Sequence, residues 1–174
     1  DDYIIDFKIT ANRPDCQSML GIAREVAAAL GQPLKMPEIS YTTDGTKLDG
    51  FTVSVKAQDL CPRYQAHYVR NIRIGTAPAW MRRRLALVGI RSISNIVDIT
   101  NYVLKEIGQP MHAFDLRDLE DNQIVVRRAD PDETIITLDE KEFKLTPSNL
   151  VICDGKKPVA LAGIMGGLNS EIKA

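Results

Sequence analysis

The stretch SNIVDITNYVLKEIG, residues 94–108, decides what kind of fold the chain makes. Ser94 is a residue type that caps a helix, accepting from a backbone N–H two or three positions on. Gly108 is the type that ends one in the left-handed conformation, and Pro110 follows it. Between these signals Ile96, Ile99, Val103, Leu104 and Ile107 gather on one arc at about 100° per residue. Thr100 falls inside that arc and Asn101 at its edge, while Asp98, Lys105 and Glu106 lie outside it. A polar group facing an interior needs a partner, because leaving it unpaired costs about 1–3 kcal/mol. Thr100 and Asn101 therefore either bond a neighbouring backbone group or face a ligand.

Working outward, the signals before residue 94 are mixed and those after residue 115 are mostly β. Met19, Ile22, Ala23, Val26 and Leu30 recur at helical spacing, with Asn12 as the expected cap and Gly31 as the stop. A second helix is expected over 76–88, capped by Thr76 and closed by Gly89, with Met81, Leu85 and Val88 in one stripe. Ile5, Phe7 and Ile9 alternate with Asp6 and Lys8 and predict a strand. Phe51, Val53 and Val55 predict another, and 64–74 reads as extended. From Ile124 onward short strands are expected over 124–128, 134–138, 142–145, 150–153 and 159–162. Asp139-Glu140-Lys141 and Asp154-Gly155 supply turns between them. The predicted class is α+β, with three main helices and short, mostly antiparallel strands. Residues 33–50, rich in Pro, Gly, Ser, Thr and Asp, read as a linker, with a boundary near Glu38.

Composition sets outer limits. Hydrophobic residues make up 44% and charged ones 26% of 174 residues, so a packed core is expected. A net charge of -1 argues against a domain that holds nucleic acid by bulk charge, though not against local contact with RNA. Cys16, Cys61 and Cys153 are scattered and odd in number, which predicts neither a zinc site nor a disulfide framework and suits a reducing compartment. No apolar run is long enough to cross a bilayer, and the chain opens on Asp1-Asp2-Tyr3 with no initiating Met, as expected of a piece of something longer.

Few residues offer chemistry. His67 sits in a strand-like pattern and reads as structural. His112 lies just past a helix end in GQPMHAFD, residues 108–115, and its near-neutral pKa suits proton handling. Against that, a lone His beside Met111 is commonly just packed. Gly163-Ile164-Met165-Gly166-Gly167 lets the backbone approach a ligand closely, or simply turns a strand. Arg82, Arg83 and Arg84 fan around a helix, as either a solvated face or a contact for RNA backbone.

These residues also carry a family resemblance. NRPDC (12–16) with LGIARE (20–25), GIRS (89–92), VDITNY (97–102), GQPMHAFD (108–115) and GIMGG (163–167) occur in an order that resembles the bacterial phenylalanyl-tRNA synthetase β-subunit family, over essentially the whole chain. The resemblance implies that residues 1–38 end a preceding domain and that 39–174 are an editing module. It implies hydrolysis of the ester of tyrosine mischarged onto the phenylalanine tRNA. His112 and Arg91 would act in catalysis, and Thr100, Asn101, Gly163, Gly166 and Gly167 would line the substrate pocket, all in one site. It further implies the 3′ aminoacyl end of that tRNA and an α-subunit as partners, in a cytoplasmic α2β2 assembly. ATP and Mg2+ would be used at the α-subunit, with no cofactor or metal in this piece. The family's glutamate that contacts the tyrosine hydroxyl lies beyond Ala174, and Glu171 is not its counterpart, so the pocket is expected to be incomplete here. Two other readings stand beside this one: a non-catalytic scaffold that positions tRNA or the α-subunit, and a free-standing hydrolase of mischarged tRNA.

Overall fold

The computed structural model describes residues 3–172. They form an α+β fold in two compact units. One unit takes the residues up to Thr43 together with Arg73–Ala113. The other takes Asp44–Ile72 together with the residues from Phe114 on.

The first unit is helical. Helix α1 spans Met19–Leu30, α2 Ala79–Leu87 and α3 Asn95–Ile107. The cap of α1 is Ser18, whose Oγ accepts from Gly21 N at 3.1 Å, and not the predicted Asn12. Residues Pro14–Cys16 instead form a short 3-10 turn, tied down by Arg13, which bonds both Asp15 and Glu25. Gly31 closes α1 in the left-handed conformation, as expected. Helix α2 starts later than predicted and has no side-chain cap at its start. The Pro78 carbonyl accepts from Met81 N and Arg82 N, and Thr76 lies outside the helix. Met81 and Leu85 of α2 bury themselves with Ala77 against Ile90 and Tyr102. Each such side chain contributes about 1.5–3 kcal/mol of burial. The predicted strand around Ile5, Phe7 and Ile9 does not form. No neighbouring strand pairs with it among the described residues, and Ile5 and Phe7 stay exposed. An extended segment without a partner leaves its backbone groups to water.

The second unit is built on a five-stranded sheet in the order β1-β2-β5-β6-β7. Its strands are β1 Thr52–Val55, β2 Gln123–Arg128, β5 Leu150–Cys153, β6 Pro158–Leu161 and β7 Met165–Gly166. Strand β1 runs parallel to β2, with Val53 opposite Ile124; the other pairs are antiparallel. A separate hairpin joins β3 Thr134–Ile136 to β4 Glu142–Lys144 through the predicted turn, with Glu140 at φ 62°. The extended stretch predicted over 64–74 is irregular, and Tyr64 packs into the sheet's core.

Side chains alternate across a strand, and here both faces are covered. Ile124 and Val126 of β2 join Ile152, Val159 and Ala160 in one apolar cluster, with Leu119 and Phe114. Val125 joins Val151, Cys153, Ile135 and Leu145 in another. That explains the uninterrupted apolar runs of β2 and β5. Buried Asp154 shapes the β5–β6 turn by accepting from the N–H groups of Lys156 and Lys157, both at 2.8 Å. No helix among the described residues is long and apolar enough to cross a membrane.

Candidate functional site

Helix α3 organises the polar candidates of the first unit. Its N-terminus is clamped: Asn95 donates from Nδ2 to the Arg73 carbonyl at 2.9 Å and accepts at Oδ1 from Gly75 N at 3.2 Å. Ser94 is the cap, as its sequence position predicts. One turn in, Asp98 is fully buried, although helical spacing puts it outside the apolar arc. Its carboxyl accepts from the Ser92 hydroxyl and from Ile93 N, the latter at 2.9 Å. The loop that begins at Arg91 is thereby fastened to the helix, while the Arg91 side chain itself is exposed. The arc behaves unexpectedly too, since Ile99, Leu104 and Ile107 are exposed. The packed side is the one that carries Asp98 and Tyr102.

Thr100 and Asn101 are both half-buried, and they differ in what they have left to offer. The Thr100 hydroxyl donates to the Val97 carbonyl at 2.8 Å, a bond within its own helix. Among the described residues no hydrogen-bond partner engages the Asn101 side chain. Its amide therefore keeps two donors and one acceptor for an incoming group.

Past α3 the chain leaves through Gly108, at φ 78°. A Cβ at Gly108 would lie 3.4 Å from Ser18 Cβ, so this exit runs close beside the cap of α1. His112 follows four residues later. Partial desolvation lowers its pKa from the usual 6.5. That desolvation favours the neutral imidazole over the charged one.

The glycine turn belongs to the second unit. Gly163 adopts φ 72°, a left-handed conformation that explains its residue type. Gly166 sits in β7, where its carbonyl accepts from Leu138 N at 3.0 Å. Gly167 is packed so closely that a Cβ there would come within 2.7 Å of the Val159 carbonyl oxygen. Its N–H is donated to that same carbonyl at 2.7 Å, so it is not on offer to a ligand. Beside the turn lies a cleft of about 600 Å³, lined by Ile164, Met165, Leu161, Phe143, Leu60 and Thr137. That size falls within the usual range for ligand clefts.

The structure thus places Arg91, Thr100, Asn101 and His112 in one unit and Gly163, Gly166 and Gly167 in the other. Asp98 was missed as a positioning residue because helical spacing alone put it on a solvated face. The signal that would have found it is the Ser92-x-Ser94 segment just upstream, which offers donors to an acid at the start of a helix.

One group of potential metal ligands stands out among the described residues: Asp15, Cys16 and Glu25. Arg13 occupies both carboxylates, at 2.7 and 2.6 Å, and holds that of Asp15 down to about 2. A cation would have to displace this guanidinium.

Comparison with known proteins bears on the whole chain. Residues 60–174 match the B3/4 domain family. The chain is 54% identical over 173 residues to the phenylalanine–tRNA ligase beta subunit of Syntrophus aciditrophicus, covering 99% of this chain and 22% of that protein. It is 50% identical over 173 residues to that of Geobacillus kaustophilus, with the same coverage. Against that of Moorella thermoacetica it is 49% identical over 172 residues, covering 98% of this chain and 21% of the relative. The chain therefore spans about a fifth of the length of the curated relatives it matches.

Proposed function

Since the chain belongs to the B3/4 domain family, we propose that it is the part of a phenylalanine–tRNA ligase β-subunit that hydrolyses the ester of tyrosine mischarged onto the phenylalanine tRNA. The observation that carries this reading is the half-buried Asn101, whose amide has no partner among the described residues and sits on the helix that fastens the Arg91 loop and leads to His112. A phenol is a neutral donor and acceptor, and a carboxamide is its natural complement.

The chemistry needs no covalent nucleophile. Water attacks the ester carbonyl carbon, the bond to the ribose oxygen breaks, and the products are free tyrosine and uncharged tRNA. His112, just past the exit of α3, orients that water. Arg91, exposed at the head of its loop, holds the RNA end or the carbonyl region. Gly163, Gly166 and Gly167, proposed as substrate-binding residues, carry the turn beside the cleft of the second unit. Thr100, bonded to its own helix, contributes shape to the wall.

A site of this kind has a physical rationale. An apolar pocket rejects an isostere bearing an extra hydroxyl by only about 10²-fold, whereas one that bonds the hydroxyl rejects the analogue lacking it by about 10⁴–10⁵-fold. A second pocket that selects the hydroxyl supplies what the first cannot. The same reading places the chain in a cytoplasmic α2β2 assembly, with ATP and Mg2+ handled by the α-subunit and residues 39–174 as the editing module. The test is release of tyrosine from tyrosyl-tRNA and of phenylalanine from phenylalanyl-tRNA, on the phenylalanine tRNA, by the assembled ligase. Faster release of tyrosine is expected. Release of both at the uncatalysed rate would leave the scaffold reading in its place.

A further inference from the structure

The sequence sets a glycine directly after an aspartate at Asp44-Gly45, Asp49-Gly50 and Asp154-Gly155, all in the second unit. Such a pair carries a latent reaction. The backbone nitrogen after an aspartate can attack that residue's own Cγ, and a glycine there has no Cβ to hinder the approach. The N–Cγ bond forms and a carboxyl oxygen leaves as water, giving a cyclic succinimide. Water then opens the ring at either carbonyl. Opening at the former backbone carbonyl breaks its bond to nitrogen and leaves the chain running through the side chain, an isoaspartate. One water is lost and one regained, so no other reactant enters. The attack needs a carboxyl that is free to turn and to take up a proton, because only the protonated acid releases its oxygen as water.

The fold treats the three pairs differently. Asp154 is buried, and its carboxyl accepts from Lys156 N and Lys157 N, both at 2.8 Å, and from Glu120 N at 3.3 Å. Its attacking nitrogen is engaged as well, since the Gly155 N–H donates to the Glu120 carbonyl at 2.9 Å. Asp44 is exposed, but its Oδ1 accepts from Thr46 N at 2.9 Å and its Oδ2 from Arg70 at 2.6 Å. Those bonds, the one from Thr46 N first, lower its pKa and favour its charged form. Asp49 and Gly50 form the exposed turn ahead of β1. Among the described residues neither the Asp49 carboxyl nor the Gly50 N–H has a hydrogen-bond partner.

We propose that Asp49-Gly50 is a site of isoaspartate formation in the folded protein, and that the turn ahead of β1 is thereby a substrate for the methyl transfer that marks isoaspartyl carboxylates for repair. The lesion puts one extra backbone carbon directly before Phe51, which packs against the apolar cluster of Ile124, Val126 and Val159. This chemistry is independent of ester hydrolysis and uses none of its residues.

Cleavage after lysine separates the three pairs: Met36–Lys47 holds Asp44, Leu48–Lys56 holds Asp49 and Leu145–Lys156 holds Asp154. The full-length protein is aged near neutral pH, folded and in parallel in urea. It is then digested with trypsin and labelled with an isoaspartyl methyltransferase and radioactive S-adenosylmethionine. In the folded sample the label is expected in Leu48–Lys56. Met36–Lys47 should carry about tenfold less, for the bond between Asp44 and Thr46 N, and Leu145–Lys156 about a hundredfold less, since two such bonds must break first. Urea should bring the three peptides to comparable label. Asp49→Glu keeps the charge but closes only a larger, slower ring, and should remove the label from its peptide. The proposal is overturned if the folded protein leaves Leu48–Lys56 unlabelled, if either other peptide labels as fast, if urea preserves the folded ranking, or if Asp49→Glu keeps the label.

Discussion

Replacing Asp98 with alanine should loosen the first unit and the Arg91 loop together. The Asp98 side chain is fully buried and satisfies two donors, the Ser92 hydroxyl and the Ile93 N–H. A buried donor left without its acceptor costs about 1–3 kcal/mol. Ser92 is half-buried, so its hydroxyl can turn partly toward water, while the Ile93 amide is fixed by the backbone. The sum expected for Asp98→Ala is therefore about 2–4 kcal/mol, a large part of the roughly 5–15 kcal/mol that a protein has in total. Asp98→Asn keeps an acceptor for Ile93 and offers its NH2 to the Ser92 oxygen, so it should lose about half as much. Urea unfolding supplies the measurement, read as a lowered midpoint at unchanged slope. Tyrosyl-tRNA deacylation on the same preparation, under conditions where the variant is still folded, reads the consequence for Arg91. If Asp98→Ala unfolds within about 0.5 kcal/mol of the wild type, the scatter of an ordinary surface change, the positioning role is wrong.

Asn101→Ala in the assembled ligase should slow clearance of tyrosyl-tRNA several-fold to roughly a hundredfold, the equivalent of about 0.5–1.5 kcal/mol or somewhat more for a lost bond to a buried phenol. Its melting temperature should be unchanged, and a destabilised variant with the wild-type deacylation rate would refute the assignment. His112 has a folded pKa lowered by desolvation, so the folded protein resists protonating it. Its contribution is intact above about 6.5 and is withdrawn as pH falls through the lower folded value. An NMR titration of His112 with a midpoint at or above 6.5 would contradict this. Gly21→Ala should destabilise the first unit by about 1–3 kcal/mol or more, because its Cβ would fall 1.8 Å from the Asp15 carbonyl oxygen. A circular-dichroism melt unchanged from wild type would count against that packing.

The fold was legible wherever a local signal is also the final arbiter. Ser94 and Gly108 bound α3 because caps and left-handed stops act within a turn of themselves. Leu150–Cys153 was readable as a strand because an apolar run between turn residues has few other uses. Failures came where distant partners decide. Residues 5–9 have strand alternation but nothing pairs with them among the described residues. Asn12 lost the cap of α1 because Arg13, Asp15 and Glu25 lock a separate turn ahead of Ser18. The parallel β1–β2 pair could not be read at all, since it joins segments some seventy residues apart in sequence. At the candidate site the residue types were legible, but their remaining bonding capacity was not. The Gly167 N–H is spent on the Val159 carbonyl, which no residue type announces.

That last distinction separates three of the polar residues of α3. Asp98, Thr100 and Asn101 lie within four positions and all carry oxygen acceptors, so composition treats them alike. Asp98 gives both its oxygens to Ser92 and Ile93 and so holds the loop that begins at Arg91. Thr100 closes on the Val97 carbonyl, which removes its hydroxyl proton from any recognition role. Asn101 makes neither kind of bond among the described residues. A half-buried carboxamide left open in this way is tolerable only while water can reach it, and a ligand that displaces that water must replace its bonds or lose affinity. A tyrosine phenol replaces one; a phenylalanine ring replaces none. On the proposed reading, discrimination by this helix would come less from what Asn101 attracts than from what a ring without a hydroxyl would leave unsatisfied.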